Sequence, residues 1–152
     1  MKAPSRFLLS FKRRQAGVAA IEFALVCALF FTLLIGMMEM GRMLFYWNSA
    51  GEATRFGARM AVVCDKDDSD IKARMVERLS ILPKSNISIT YEPDGCSVDT
   101  CQSVTVGIAA GVPVATFIPF VPLSLSLPPF STSLPRESMQ SNVGGIANPM
   151  CN

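Results

Sequence analysis

RRQAGVAAIEFALVCALFFTLLIGMMEM, residues 13–40, decides how the rest of the chain is read. Two arginines close a basic stretch, Gly17 follows, and an apolar run then begins at Val18. Residues 23–38 carry no charge, and residues 18–38 carry only Glu22. About 20 apolar residues at 1.5 Å rise cross a hydrocarbon core of about 30 Å. Apolar side chains occupy every helical face, which excludes an amphipathic surface helix. The run is therefore read as one transmembrane helix. It exceeds the roughly 7–15 residues of a secretory h-region, and a glutamate near its start fits such a signal poorly.

The charge distribution gives the helix a direction. Residues 1–17 hold Lys2, Arg6, Lys12, Arg13 and Arg14 and no acid. The remainder holds nine basic side chains and all twelve acids, so a formal +2 hides a basic leader on a mildly acidic body. Positive residues before a span predict a cytoplasmic N-terminus and a periplasmic C-terminal domain. The acidic body argues against nucleic-acid binding. The chain has no histidine, which removes the commonest general base and metal ligand. No nucleophile–base constellation or phosphate loop is recognisable, so the sequence reads as a non-enzyme without a cofactor.

Beyond the span the helical pattern continues without proline to residue 63. This predicts one helix over residues 18–63, about 45 residues and about 70 Å long. Glu39/Arg42 and Glu52/Arg55 stand at i, i+3. Ser49, Ala53, Gly57 and Ala61 form an i, i+4 row of small residues. Such a row either admits another backbone closely or merely fills the helix. Met37, Met38, Met40 and Met43 are read as gap-fillers, and Phe45, Tyr46 and Trp47 as an interfacial aromatic belt. The acidic run 65–70 lacks the glycine and distal glutamate of a calcium loop and is read as a solvated turn.

A second helix is expected over residues 71–82, with Ser69 or Asp70 as N-cap and Pro83 past its end. Alternation at residues 87–91 and 104–108 predicts two strands. Residues 111–136 hold most of the prolines, and short edge strands are expected at 112–120 and 122–127. Residues 138–152 are polar and rich in Gly and Asn, and are read as a flexible tail. The fold class is α+β: a long N-terminal transmembrane helix extending into the periplasm, then a small helix and antiparallel-strand domain. The organisation is a basic leader at 1–17, the long helix at 18–63, a periplasmic α+β domain at 64–137 and the tail at 138–152.

Five cysteines cannot all pair within one chain. Cys27 lies in the span and reads as a small apolar residue. Cys96 and Cys101 share one polar loop on the side expected to be oxidising, and are the disulfide candidates. A zinc site would need two more ligands, with no histidine to supply them. Cys64 and Cys151 remain as a second possible pair that sequence distance alone does not decide.

Glu22 sits about one turn into the apolar run. Either it rests at the headgroup level without a partner, or it meets a positive charge in the membrane. Cleavage between Gly17 and Val18 would create such a charge, a new α-amino group. Gly17-Val18-Ala19-Ala20-Ile21-Glu22-Phe23, placed between a basic leader and a spanning helix, resembles the type IV prepilin processing signal. Residues 13–63 resemble the TadE-like family, the minor pilins or pseudopilins of tight-adherence (Flp) pilus systems. SLSLPPFSTSLPRE echoes that family's closing strand and its basic residue at Arg136. The resemblance implies cleavage between Gly17 and Val18 by a membrane prepilin peptidase, with Glu22 as the mature fifth residue and Phe23 after it. It implies that the partners are other pilins or pseudopilins and the pilus assembly platform, met through the N-terminal helix. The alternative is an unprocessed single-pass membrane anchor carrying a periplasmic binding module.

Overall fold

The computed structural model describes residues 7–117 and 125–151, with side chains described from Gly17 onward. The first six leader residues, Asn152 and part of the two expected edge strands (residues 118–124) lie outside the described residues. The first long element is helix α1, Phe7–Val63. It begins earlier than the apolar run suggests. Residues 7–16 contain neither Pro nor Gly and are mostly good helix formers, so nothing local stops the helix at the leader. The chain forms two compact units, Met1–Gly41 and Arg42–Asn152.

The first unit is helical throughout its described part. Its apolar side chains are open on all sides: Phe23 is 72% exposed, Val26 68% and Met37 74%. This is one helix long and apolar enough to cross a membrane, and none of its most apolar window is buried within the chain.

The second unit is built around the C-terminal part of α1. Helix α2, Ser69–Arg78, follows, capped by Asp68, whose carboxylate accepts the Asp70 N–H at 2.9 Å. The cap thus lies one residue before Ser69 and two before Asp70, the two expected candidates. The helix ends at Arg78, short of residue 82, and the Leu79 N–H closes it on the Met75 carbonyl. Pro83 disfavours helical geometry in the residue before it, so the last turn opens early. Leu79 and Leu82 nonetheless stay buried, extending the stripe set by Ile71 and Met75.

Strands β1 (Ile87–Glu92) and β2 (Ser103–Ile108) are antiparallel neighbours. Two short strands, β3 (Pro113–Val114) and β4 (Leu125–Ser126), pair next to each other within the Pro-rich region. Strand β5, Phe130–Pro135, adds to the other side of β2, giving the order β1-β2-β5. In this register Ile89, Val106 and Thr132 lie side by side, as do Tyr91, Val104 and Leu134. Val104, Val106 and Ile108 are buried, so this is the face turned to the core.

Helix α1, helix α2 and the sheet meet at Gly57. A Cβ there would stand 3.0 Å from Met75 Cγ and 3.2 Å from Val106 Cγ1. Ala53 and Ala61, one turn to either side, are also buried. The small-residue row therefore lies in the chain's own core, where the helix must pass close to its neighbours. Thr54 is the one buried polar side chain there: its hydroxyl donates to the Gly51 carbonyl at 2.8 Å and accepts from Thr132 at 3.1 Å, tying α1 to β5.

Residues 138–152 depart from the expected flexible tail. The last carbonyls of a helix have no intrahelical donor and need partners. Here Glu137 and Met139 N–H groups donate to the Val62 carbonyl at 3.2 and 3.1 Å, and Gln140 N–H to that of Val63 at 2.8 Å. Ser141 and Asp65 bond reciprocally at 3.0 Å. Met139 is fully buried, and Cys151 is joined to Cys64 immediately after α1. A small hairpin, β6 (Asn142–Val143) and β7 (Ile146–Ala147), occupies the interval. The tail is thus the C-terminal cap of α1.

Two disulfides close loops of different size, with sequence separations of 87 for Cys64–Cys151 and 5 for Cys96–Cys101. In the loop-entropy picture these contribute about 4–5 and about 2 kcal/mol respectively. C151S should therefore lower the thermal midpoint of the detergent-solubilised chain more than C96S does. Circular dichroism melts would check the order.

Candidate functional site

Gly17, Val18, Glu22 and Phe23 all lie within α1 and are exposed. Val18 and Glu22 are four residues apart, so they share a face with about 6 Å of rise between them. A Cβ on Gly17 would meet nothing within 4 Å. Packing in this chain therefore gives no reason for glycine there, and glycine costs a helix interior about 1 kcal/mol relative to alanine.

Within residues 18–38 the side chains with oxygen atoms are Glu22 and Thr32. Thr32 answers its own need, its hydroxyl donating to the Ala28 carbonyl one turn back at 2.7 Å. Glu22 has no hydrogen bond or ion pair among the described residues. Cys27 is a free thiol, half-buried on the same helix. Phe30 and Phe31 stack edge to face at 5.5 Å. This segment is thus an apolar helix whose one charged side chain is a carboxylate near its leader end.

Residues 17–59 match the family model for TadE-like proteins. The match covers less than a third of the chain, the apolar span and the following helical turns. The likeness is confined to this segment, which includes the one helix among the described residues that is long and apolar enough to cross a membrane. No curated protein and no solved structure matches. The TadE-like segment therefore contains Gly17, Val18, Glu22 and Phe23 together, whereas residues 60–152 lie beyond it.

The second unit carries the cysteine pair and the acidic run. Cys96 and Cys101 are bonded, with Cα atoms 4.9 Å apart. Two cations hold this loop to the rest: Lys66 Nζ donates to the Cys96 carbonyl at 2.8 Å, and Arg136 donates to the Val98 carbonyl. The carboxylates of Asp65 and Asp68 are engaged in backbone capping. The Asp67 N–H donates to the Tyr91 hydroxyl at 3.1 Å. Burial pushes the Tyr91 phenol above its ordinary value of 10.0. The Asp67 bond opposes that rise, and the charges of Asp67 and Asp68 add to it. Among the described residues no cluster of three His, Cys, Asp or Glu side chains is placed to hold a metal ion.

Sequence reading missed two arginine settings. An open groove of about 510 Å³ brings Arg55, Arg59 and Arg78 together beside Phe45 and Phe56, with Arg78 stacked on Phe56 at 4.4 Å. Arg42 donates to the Ala115 carbonyl and lies over the Phe117 ring at 4.5 Å. Neither grouping has a local sequence signal, because each joins residues from separate elements.

G17A tests whether glycine serves the fold or an outside reader. The substitution is sterically free and favours the helix, so the membrane level of the protein should be unchanged. In a host with an active prepilin peptidase, immunoblotting should show the leader retained. Normal leader removal would contradict recognition of Gly17.

Proposed function

We propose that this chain is a minor pilin or pseudopilin that acts in assembling a tight-adherence pilus and performs no chemistry of its own. The inner membrane stores it by the apolar part of α1, with the N-terminus cytoplasmic and the second unit periplasmic. The five leader cations before the span support that orientation. A membrane prepilin peptidase removes residues 1–17, and the partners that follow are other pilins or pseudopilins and the assembly platform.

The observation that carries this reading is Glu22, the single charge in the apolar stretch 18–38, which has no partner among the described residues. An acidic charge at mid-membrane costs about 2.5–3.5 kcal/mol, and less near an end. Cleavage at Gly17 supplies a cation in the form of the Val18 α-amino group. Within one helix Glu22 lies a single turn from that amine on the same face, too close along the axis to serve it well. A neighbouring subunit, staggered along the axis, brings its amine beside Glu22. Pairing then rewards the correctly registered bundle, because a lone buried charge is relieved only by a well-placed partner.

E22A should leave the protein in the membrane and its leader cleaved, but reduce its recovery in assembled pili by about tenfold, the equivalent of about 1.4 kcal/mol. Quantitative blotting of membrane and sheared-surface fractions would check this. E22Q, which keeps the shape and removes the charge, should fail in the same way. Wild-type recovery of either variant would contradict the pairing.

A further inference from the structure

One contact ties residues 115–117 to the start of the second unit. Arg42 follows Glu39 as the second charge after the uncharged run 23–38, so it lies where the apolar helix leaves the hydrocarbon. Its guanidinium donates to the Ala115 carbonyl and covers the Phe117 ring at 4.5 Å. Residues 115–117 therefore lie at the depth at which Arg42 lies. Phe117 is 83% exposed, more than any other large apolar side chain described in the second unit. Leu44, Phe45 and Trp47 are also exposed, within about 8 Å of Arg42 along the helix axis.

An isolated exposed phenylalanine needs no explanation. An aromatic ring held by an arginine at the exit of an apolar helix is a different case. Arginine and aromatic rings both favour the headgroup level, where an apolar body meets a polar edge.

We infer that Phe117, held against the Arg42 guanidinium, is a second membrane contact, inserted at the lipid headgroup level. The partner is the lipid surface itself. This inference rests on the membrane-spanning reading of α1, and the test separates the two.

Trp47 is the single tryptophan, so W47F yields a background without one. In that background F117W and F31W each report one depth, in proteoliposomes containing lipids brominated either near the headgroup or near the chain end. F31W, near the middle of the span, should be quenched best by chain-end bromine. F117W should be quenched roughly twofold or more by bromine near the headgroup and be shielded from aqueous iodide, as expected for an interfacial ring. If F31W behaves as stated but F117W is open to iodide and untouched by brominated lipid, the loop contact is overturned while the span stands. If F31W is not quenched by brominated lipid, the spanning reading fails and the loop inference falls with it.

Discussion

One constraint governs the proposed role: the exposed apolar surface of α1 between Val18 and Met40. Fourteen large apolar side chains between Val18 and Met40 stand exposed on α1. Each is worth about 1.5–3 kcal/mol when fully removed from water. Left hydrated, they would together outweigh the roughly 5–15 kcal/mol that stabilises a typical domain. A bilayer or a bundle of like helices meets this need.

The second unit is organised by the far end of that helix. Between Ala50 and Ala61 the side chains become small, and α2 and the sheet close on them at Gly57. The last turn would leave carbonyls unmatched, and the chain returns to satisfy them from residues 137–140 before Cys151 locks beside it to Cys64. Thus α1 contributes an apolar outer surface over one stretch and a dry inner surface over the next. The change of neighbours follows the change of side-chain size and polarity along a single element.

This division explains what could be read from sequence. The long apolar helix and strands β1 and β2 were legible because each depends on the pattern within one segment. The Cys96/Cys101 loop was legible because its two thiols are close in sequence. Strand β5 was visible only through the TadE-like resemblance, because its core face includes Thr132 and its ends are marked by proline. The tail looked loose because its Gly and Asn content says nothing about the carbonyls of Val62 and Val63 that it must meet. The Arg42 contacts with Ala115 and Phe117 join positions more than seventy residues apart and leave no local trace. Glu22 was the opposite case: an acid in an apolar run is conspicuous by its cost alone.

The central claim is that the chain acts after losing its leader, with the Val18 amine and Glu22 as complementary charges. Intact-mass analysis of the wild-type protein, purified from membranes of a host with its pilus system active, addresses it most directly. The account predicts a species whose sequence starts at Val18. A population consisting only of full-length chains, or one starting at any other residue, would contradict it.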